Sequence, residues 1–124
     1  AKKYSLERYA FGKQIGAFQA LKHKMADMYV KIELAKSNAY YGAWALSSDS
    51  NELPVAAAGA RVSAIDAYHF ASKENIQIHG GVGFTWEYDC HLFYRRAKQL
   101  ALNIGSVRQW KENLISNLEK RNIM

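Results

Sequence analysis

The spacing of apolar residues constrains the fold most strongly, because they recur every three or four positions along most of the chain. Residues at that spacing lie on one face of an α-helix, so the pattern predicts long amphipathic helices. The first predicted helix starts near Phe18 and carries Leu21, Met25, Met28, Ile32, Ala35, Ala39 and Leu46 on that face. The second carries Val55, Ala58, Val62, Ile65, His69, Ser72 and Ile76.

Turn-forming residues divide the chain between these helices. The cluster SSDSNELP ends the first helix, and its proline, Pro54, suits the first turn of the second. Asp89 is predicted to cap a third helix, and a fourth is predicted from about Ser106. No run alternates as a strand does, so we predict no strands. The prediction is an all-α, antiparallel up-and-down four-helix bundle, one domain over residues 1–124, with connections at about residues 47–53, 80–88 and 103–106.

Composition narrows the classes of function. The 124 residues are one domain's worth of chain, and an apolar share of 49% permits a core. The net charge of +6 is compatible with nucleic acid, but no basic block exceeds two residues and no recognition pattern accompanies the charge. Nucleic-acid binding is therefore the least favoured of the functions considered. No apolar run approaches the roughly 20 residues of a membrane span, and the single cysteine fits a reducing compartment.

Several residues suited to chemistry have simpler structural interpretations. Glu87, Asp89 and His91 alternate like metal ligands, but no second cluster completes a ligand set, so no metal is predicted. Cys90 and His69 are interpreted as structural, since neither has a catalytic partner at a recognisable spacing. The glycine-rich stretch GGVG follows a helix rather than a strand. It indicates either a sharp turn or a close approach to the backbone.

Two separated segments together resemble the C-terminal helical domain of the acyl-CoA dehydrogenases. The segment from Tyr4 to Met28 matches the family pattern Arg-x-x-Phe-Gly-x-x-Ile-x-x-x-Gln, and that from Ile76 to Lys98 matches Gln-x-x-Gly-Gly-x-Gly-(Phe/Tyr). The matched residues are Arg8, Phe11, Gly12, Ile15 and Gln19 in the first and Gln77, Gly80, Gly81, Gly83 and Phe84 in the second. The order of the two motifs and the lengths of the helices also agree with the family, so the resemblance covers essentially the whole chain.

The resemblance implies that the chain contributes to an FAD site. Arg8 would contact the cofactor's diphosphate, which a guanidinium matches with its forked donors. The other implied contacts are packing by Phe11 and Ile15, Gln19 near the adenosine end, Gln77 with the Gly80–Gly81 backbone at the same end, and the Ser106 hydroxyl near the flavin. Without the resemblance, Arg8 would be interpreted as a helix cap and the glycines as a simple turn.

The resemblance also implies a larger protein. The first residues resemble the end of a helix already begun, so we expect a fragment whose N-terminal helical and middle β domains lie outside it. The full-length protein would dehydrogenate an acyl-CoA thioester, pass electrons to an acceptor flavoprotein and form a homo-oligomer, a dimer or a dimer of dimers. It would lie in a bacterial cytoplasm or a mitochondrial matrix. The isolated chain is expected to be inactive and to hold no FAD stably.

One position departs from the family pattern. Counted from Gln77, the catalytic glutamate of many members falls at Ile104, which cannot take a proton, whereas Gly105 and Ser106 match the Gly-Thr that follows. We expect the base on the helix preceding Ala1, as in some branches of the family. Two alternatives remain open: a non-catalytic subunit of a heteromeric assembly whose partner carries the active site, or loss of the dehydrogenation.

Overall fold

The computed structural model describes residues 1–123 and consists almost entirely of helices. The helices are α1 (Lys2–Glu7), α2 (Gln19–Ser47), α3 (Leu53–His79), α4 (Cys90–Leu102) and α5 (Val107–Ile123), with short 3-10 helices at Ile15–Ala17 and Gly80–Phe84. The four long helices confirm the predicted all-α bundle. The three connections between these helices lie at the positions predicted from the turn-forming residues. Pro54 lies in the first turn of α3.

Helix α3 forms the centre of the bundle, because α2, α4 and α5 all pack against it. The buried apolar side chains are mainly alanine and isoleucine, and most belong to α3: Ala56, Ala58, Ile65, Ala67, Ile76 and Ile78, joined by Ala45, Cys90 and Ala97. Alanine at these positions lets neighbouring helices approach closely. Within residues 1–123, no helix is both long and apolar enough to cross a membrane.

An ion pair with a buried carboxylate joins the start of α2 to the end of α3. The Lys24 ammonium donates to a carboxylate oxygen of Glu74 at 2.5 Å, and Glu74 is only 7% exposed. A carboxylate buried to this degree needs a partner. The pair therefore fixes the first turns of α2 against the part of α3 that precedes the glycine loop.

The expectation that strands are absent is wrong at one place. Residues Tyr9–Ala10 (β1) and Lys13–Gln14 (β2) form a small antiparallel hairpin, with Tyr9 opposite Gln14. Its two-residue turn consists of Phe11 and Gly12, whose φ angles are +53° and +78°. Positive φ at both turn residues is typical of type I′ turns, whose twist matches that of the strands. The hairpin carries the motif residues between Arg8 and Ile15 and lies between α1 and α2.

Candidate functional site

An aromatic cluster brings the two motif segments together. The Tyr4 ring on α1 stacks on the His79 ring, with centroids 4.2 Å apart, and meets Tyr88 edge-on at 5.5 Å. His79 is the last residue of α3 and directly precedes Gly80. The segment that carries Arg8 and the glycine loop therefore lie at the same end of the bundle.

Two of the loop glycines are required by the chain's own backbone. Gly80 ends α3 with a φ of +66°, a conformation that side chains other than glycine rarely adopt. Gly83 folds back on α3, where a Cβ would lie 2.8 Å from the Ile76 carbonyl oxygen. Both glycines thus have a structural explanation.

Gly81 has no such explanation. Its φ is not positive, and no atom of residues 1–123 lies within 4 Å of the position its Cβ would take. The backbone at Gly81 is therefore open to another molecule, and a side chain there would occupy the space that molecule needs. This fits the predicted approach of a cofactor.

Arg8 is held by its backbone and leaves its side chain free. Its N–H donates to the Tyr4 carbonyl at 2.9 Å, and its carbonyl accepts the Ile15 N–H at 2.8 Å. The side chain is exposed and makes no hydrogen bond or ion pair within the described residues. Such a guanidinium, anchored at the base and unpaired at the tip, is suited to bind an anion.

Three further motif residues follow Arg8 along the chain, on the hairpin, in the 3-10 helix after it and at the start of α2. Phe11 is 96% exposed at the tip of the turn, and its left-handed backbone is unfavourable for a bulky residue. Ile15 is half-buried, and Gln19 is exposed in the first turn of α2. A ring so exposed is not part of the core and is accessible to another molecule.

A hollow of about 320 Å³ is lined by Gln77 and by two residues of the glycine loop, Gly83 and Phe84. Other side chains of α3 and α4 complete its lining. The buried Nε2 of His91, another lining residue, has no hydrogen-bond partner within residues 1–123. Buried polar atoms normally have a partner, so this nitrogen remains available to accept or donate one further hydrogen bond.

Ser106 lies elsewhere and already has a structural role. Its N–H donates to Oε1 of Gln109 at 3.0 Å, and its Oγ accepts the Gln109 N–H at 3.2 Å. This reciprocal pair is a capping box that begins α5. The next residue, Val107, lines a cavity together with residues of α3, and His69 is the most C-terminal of those α3 residues. Gln77 lies eight residues beyond His69, about 12 Å along the helix, so Ser106 is not part of the Gln77 site.

Ile104 occupies the turn before Ser106. Its side chain is 64% exposed, and its carbonyl accepts the indole N–H of Trp110 at 2.8 Å. Gly105 follows with a φ of +104°. The turn keeps a tight, glycine-dependent shape, but the side chain it presents at the position of the family's glutamate has no acid–base chemistry.

The remaining candidates behave as structural residues. Cys90 is buried, and this burial raises the pKa of its thiol above the ordinary value, which disfavours the reactive thiolate. Asp89 precedes α4 as predicted, although its side chain makes no capping hydrogen bond. The ring of His69 lies 6.2 Å from that of Tyr94 between α3 and α4. No three His, Cys, Asp or Glu side chains in residues 1–123 are grouped to hold a metal.

Comparison with known proteins identifies the family. Residues 1–107 match the family described as acyl-CoA dehydrogenase, C-terminal domain. The acyl-CoA dehydrogenase IpdE2 of Mycobacterium tuberculosis is 41% identical over 117 residues, which cover 93% of this chain and 34% of that protein.

Solved structures agree with this relationship. A chain in a structure of the electron transferring flavoprotein of Acidaminococcus fermentans is 34% identical, with a TM-score of 0.89, over 94% of this chain and 30% of that one. Butyryl-CoA dehydrogenase from Megasphaera elsdenii is 31% identical, also with a TM-score of 0.89, over 94% and 30%. The chain spans about a third of the length of these relatives. It belongs to the acyl-CoA dehydrogenase C-terminal domain family.

Proposed function

We propose that this chain is the C-terminal domain of an FAD-dependent acyl-CoA dehydrogenase, which introduces a double bond between Cα and Cβ of an acyl-CoA thioester. The observation that supports FAD binding most strongly is the open backbone at Gly81. It lies at the same end of the bundle as Arg8, whose guanidinium is unpaired within the described residues. A bare backbone and a free cation fit a ligand that is both bulky and phosphorylated. FAD is such a ligand.

The residues of this chain would bind and orient rather than react. Arg8 would neutralise the diphosphate, and the Gly80–Gly81 backbone with Gln77 would line the adenosine end. When bound, the flavin supplies the acceptor for the β-hydride of the substrate. The Ile104 side chain cannot remove the α-proton, and we propose that a carboxylate from outside residues 1–123 does so. We place that base on the helix that precedes Ala1.

The test uses the full-length protein. We expect it to purify yellow, with FAD bound, and to lose its visible flavin absorbance when an acyl-CoA is added without oxygen. Free CoA, which has no α-proton to give, is the matched control and should cause no bleaching. A colourless protein that also fails to take up added FAD would contradict the proposal.

Ile104 favours a second candidate function, that of a non-catalytic subunit in a heteromeric assembly. This subunit would help to hold FAD while a partner chain supplies the base. The two candidates differ in the bleaching experiment: the assembly subunit holds flavin but does not bleach until its partner is added. Bleaching by the full-length protein alone, abolished by changing a glutamate upstream of Ala1, would exclude this second function.

The exposed apolar surface of α2 supports a role in assembly. Large side chains along this helix are more than half exposed: Tyr29, Val30, Leu34, Tyr40, Trp44 and Leu46. Large exposed apolar patches generally mark interaction sites. We propose that they form a homo-oligomer interface, and sedimentation of the full-length protein as a monomer would contradict it. The electron transferring flavoprotein structure that contains a similar chain supports an acceptor flavoprotein as a further partner.

A further inference from the structure

A cavity of about 680 Å³ lies where the four long helices meet, and it shares no residue with the hollow lined by Gln77. One residue of α2, Asn38, and several residues from each of α3, α4 and α5 line this four-helix cavity. Ile65 and Ala97 are buried and form its floor, and other apolar side chains of α3 and α5 lie beside them. This volume and this mainly apolar lining are typical of sites that bind small molecules.

A glycine in the wall of the four-helix cavity has no explanation inside the chain. Gly59 lies within α3, where glycine is less favourable than alanine. Apart from its own turn of helix, nothing in residues 1–123 lies within 4 Å of the position its Cβ would take. At Gly42, the other glycine inside a long helix, a Cβ would lie 3.4 Å from Cβ of Ala60, where α2 approaches α3. Helix packing therefore explains Gly42, whereas Gly59 leaves space in the cavity wall.

Two cations without a counter-ion lie in the same lining. Lys98 on α4 and Lys111 on α5 are exposed, and neither makes a hydrogen bond or ion pair within residues 1–123. Asp66, the acidic residue of the lining, is already engaged by the Lys31 ammonium at 2.6 Å. Apolar walls with two uncompensated ammonium groups favour a ligand that has an apolar body and an anionic end.

The type of cation narrows the anionic end. Each lysine offers a compact charge, and the lining contains no arginine, whose fork of donors best matches phosphate. The half-buried His69 ring, also in the lining, makes no hydrogen bond within the described residues and can donate one to an oxygen of the ligand. These groups suit a carboxylate.

We propose that the four-helix cavity binds a free hydrocarbon carboxylate, with its charged end held by Lys98 and Lys111. The hydrocarbon packs on the apolar side chains of α3, α4 and α5 in the lining. Such a ligand differs from an acyl-CoA, whose acyl group is joined to sulfur and has no carboxylate. The site is therefore separate from the FAD and acyl-CoA contacts of the proposed function and does not depend on them.

The experiment is calorimetric titration of the full-length protein with decanoate. Two further probes divide the ligand: 1-decanol keeps the chain without the charge, and acetate keeps the charge without the chain. Lys98→Gln and Lys111→Gln should each weaken decanoate binding by about tenfold or more, the effect of losing a charged partner. Lys120→Gln is the matched control, because it removes the same charge from α5 outside the lining. It should leave decanoate affinity unchanged.

Gly59→Ala provides a second arm that does not alter charge. Its methyl group would take up space in the cavity wall, so decanoate affinity should fall several-fold. The melting temperature should stay the same or rise, because alanine favours helix more than glycine does. Unchanged decanoate affinity in Gly59→Ala would count against the proposal.

Failure of this inference differs from failure of the proposed function. A full-length protein that bleaches with an acyl-CoA but binds no decanoate overturns the inference and leaves the function standing. Decanoate that binds equally well to both lysine variants lies elsewhere, and 1-decanol that binds as tightly as decanoate needs no carboxylate site; either result also overturns the inference. A protein without FAD that binds decanoate through the two lysines supports the inference although the function fails.

Discussion

Replacing Gly81 by alanine should weaken FAD binding by the full-length protein at least about tenfold while leaving the fold as stable as before. The added methyl group meets no atom of the chain within 4 Å, and the backbone there does not require glycine. A change of this kind normally alters stability by less than about 0.5 kcal/mol. The methyl group would, however, occupy the space that a cofactor needs to reach the backbone. Flavin titration and thermal unfolding of the same preparation measure both effects.

Gly83→Ala is the matched control, with the opposite structural basis. Its methyl group would lie 2.8 Å from the Ile76 carbonyl oxygen and 3.0 Å from Cβ of His79. We expect this overpacking to destabilise the domain by about 1 to 3 kcal/mol. If Gly81→Ala leaves flavin affinity unchanged, the open space at Gly81 holds only solvent, and that position has no part in cofactor binding.

Replacing Arg8 by glutamine should weaken FAD binding by about ten- to a hundredfold, again without loss of stability. The Arg8 side chain makes no hydrogen bond or ion pair within residues 1–123, so removing its charge breaks nothing inside the domain. A charge-assisted hydrogen bond to phosphate contributes about 1.5 to 3 kcal/mol, which corresponds to that change in affinity. Equilibrium binding of FAD at two salt concentrations measures the loss, because an ionic contact weakens as salt increases.

Two further variants separate geometry from charge at this position. Arg8→Lys keeps the charge but loses the fork of donors, so its affinity should fall between those of the parent and of Arg8→Gln. Lys3→Gln removes the same charge from an exposed position on α1 and should have little effect. If Arg8→Gln and Lys3→Gln lower FAD affinity equally, Arg8 makes no specific contact with the diphosphate and contributes only to the overall positive charge of the surface.

The helices could be predicted from the sequence because their signals are local and repeated. An apolar residue every third or fourth position over several turns is not produced by a strand or a loop, and Pro54 marks the start of α3 directly. The hairpin could not be predicted, since two-residue strands are too short to show alternation. Its turn is Phe11–Gly12 rather than the Asn–Gly or Asp–Gly pairs that usually indicate a type I′ turn.

The sequence predicted which motif residues form the candidate site, but it did not predict the contacts that hold those residues in place. The Tyr4–His79 stack, which unites the two motifs, joins residues 75 positions apart, and no local pattern connects them. The sequence prediction gave Gly80 and Gly81 the same role, whereas of these two only Gly81 lacks an explanation inside the chain. Ser106 was selected for its hydroxyl, and the Gln109 residue three positions later was the signal for its capping role.

The most direct test of the central claim, that this chain contributes to an FAD site, is photo-crosslinking. An FAD analogue with an azide on its adenine ring would be bound to the full-length protein, irradiated and mapped by mass spectrometry. We predict labelled peptides from the loop that contains Gly81 or from the hairpin that follows Arg8. Stoichiometric labelling confined to peptides outside this chain would contradict it.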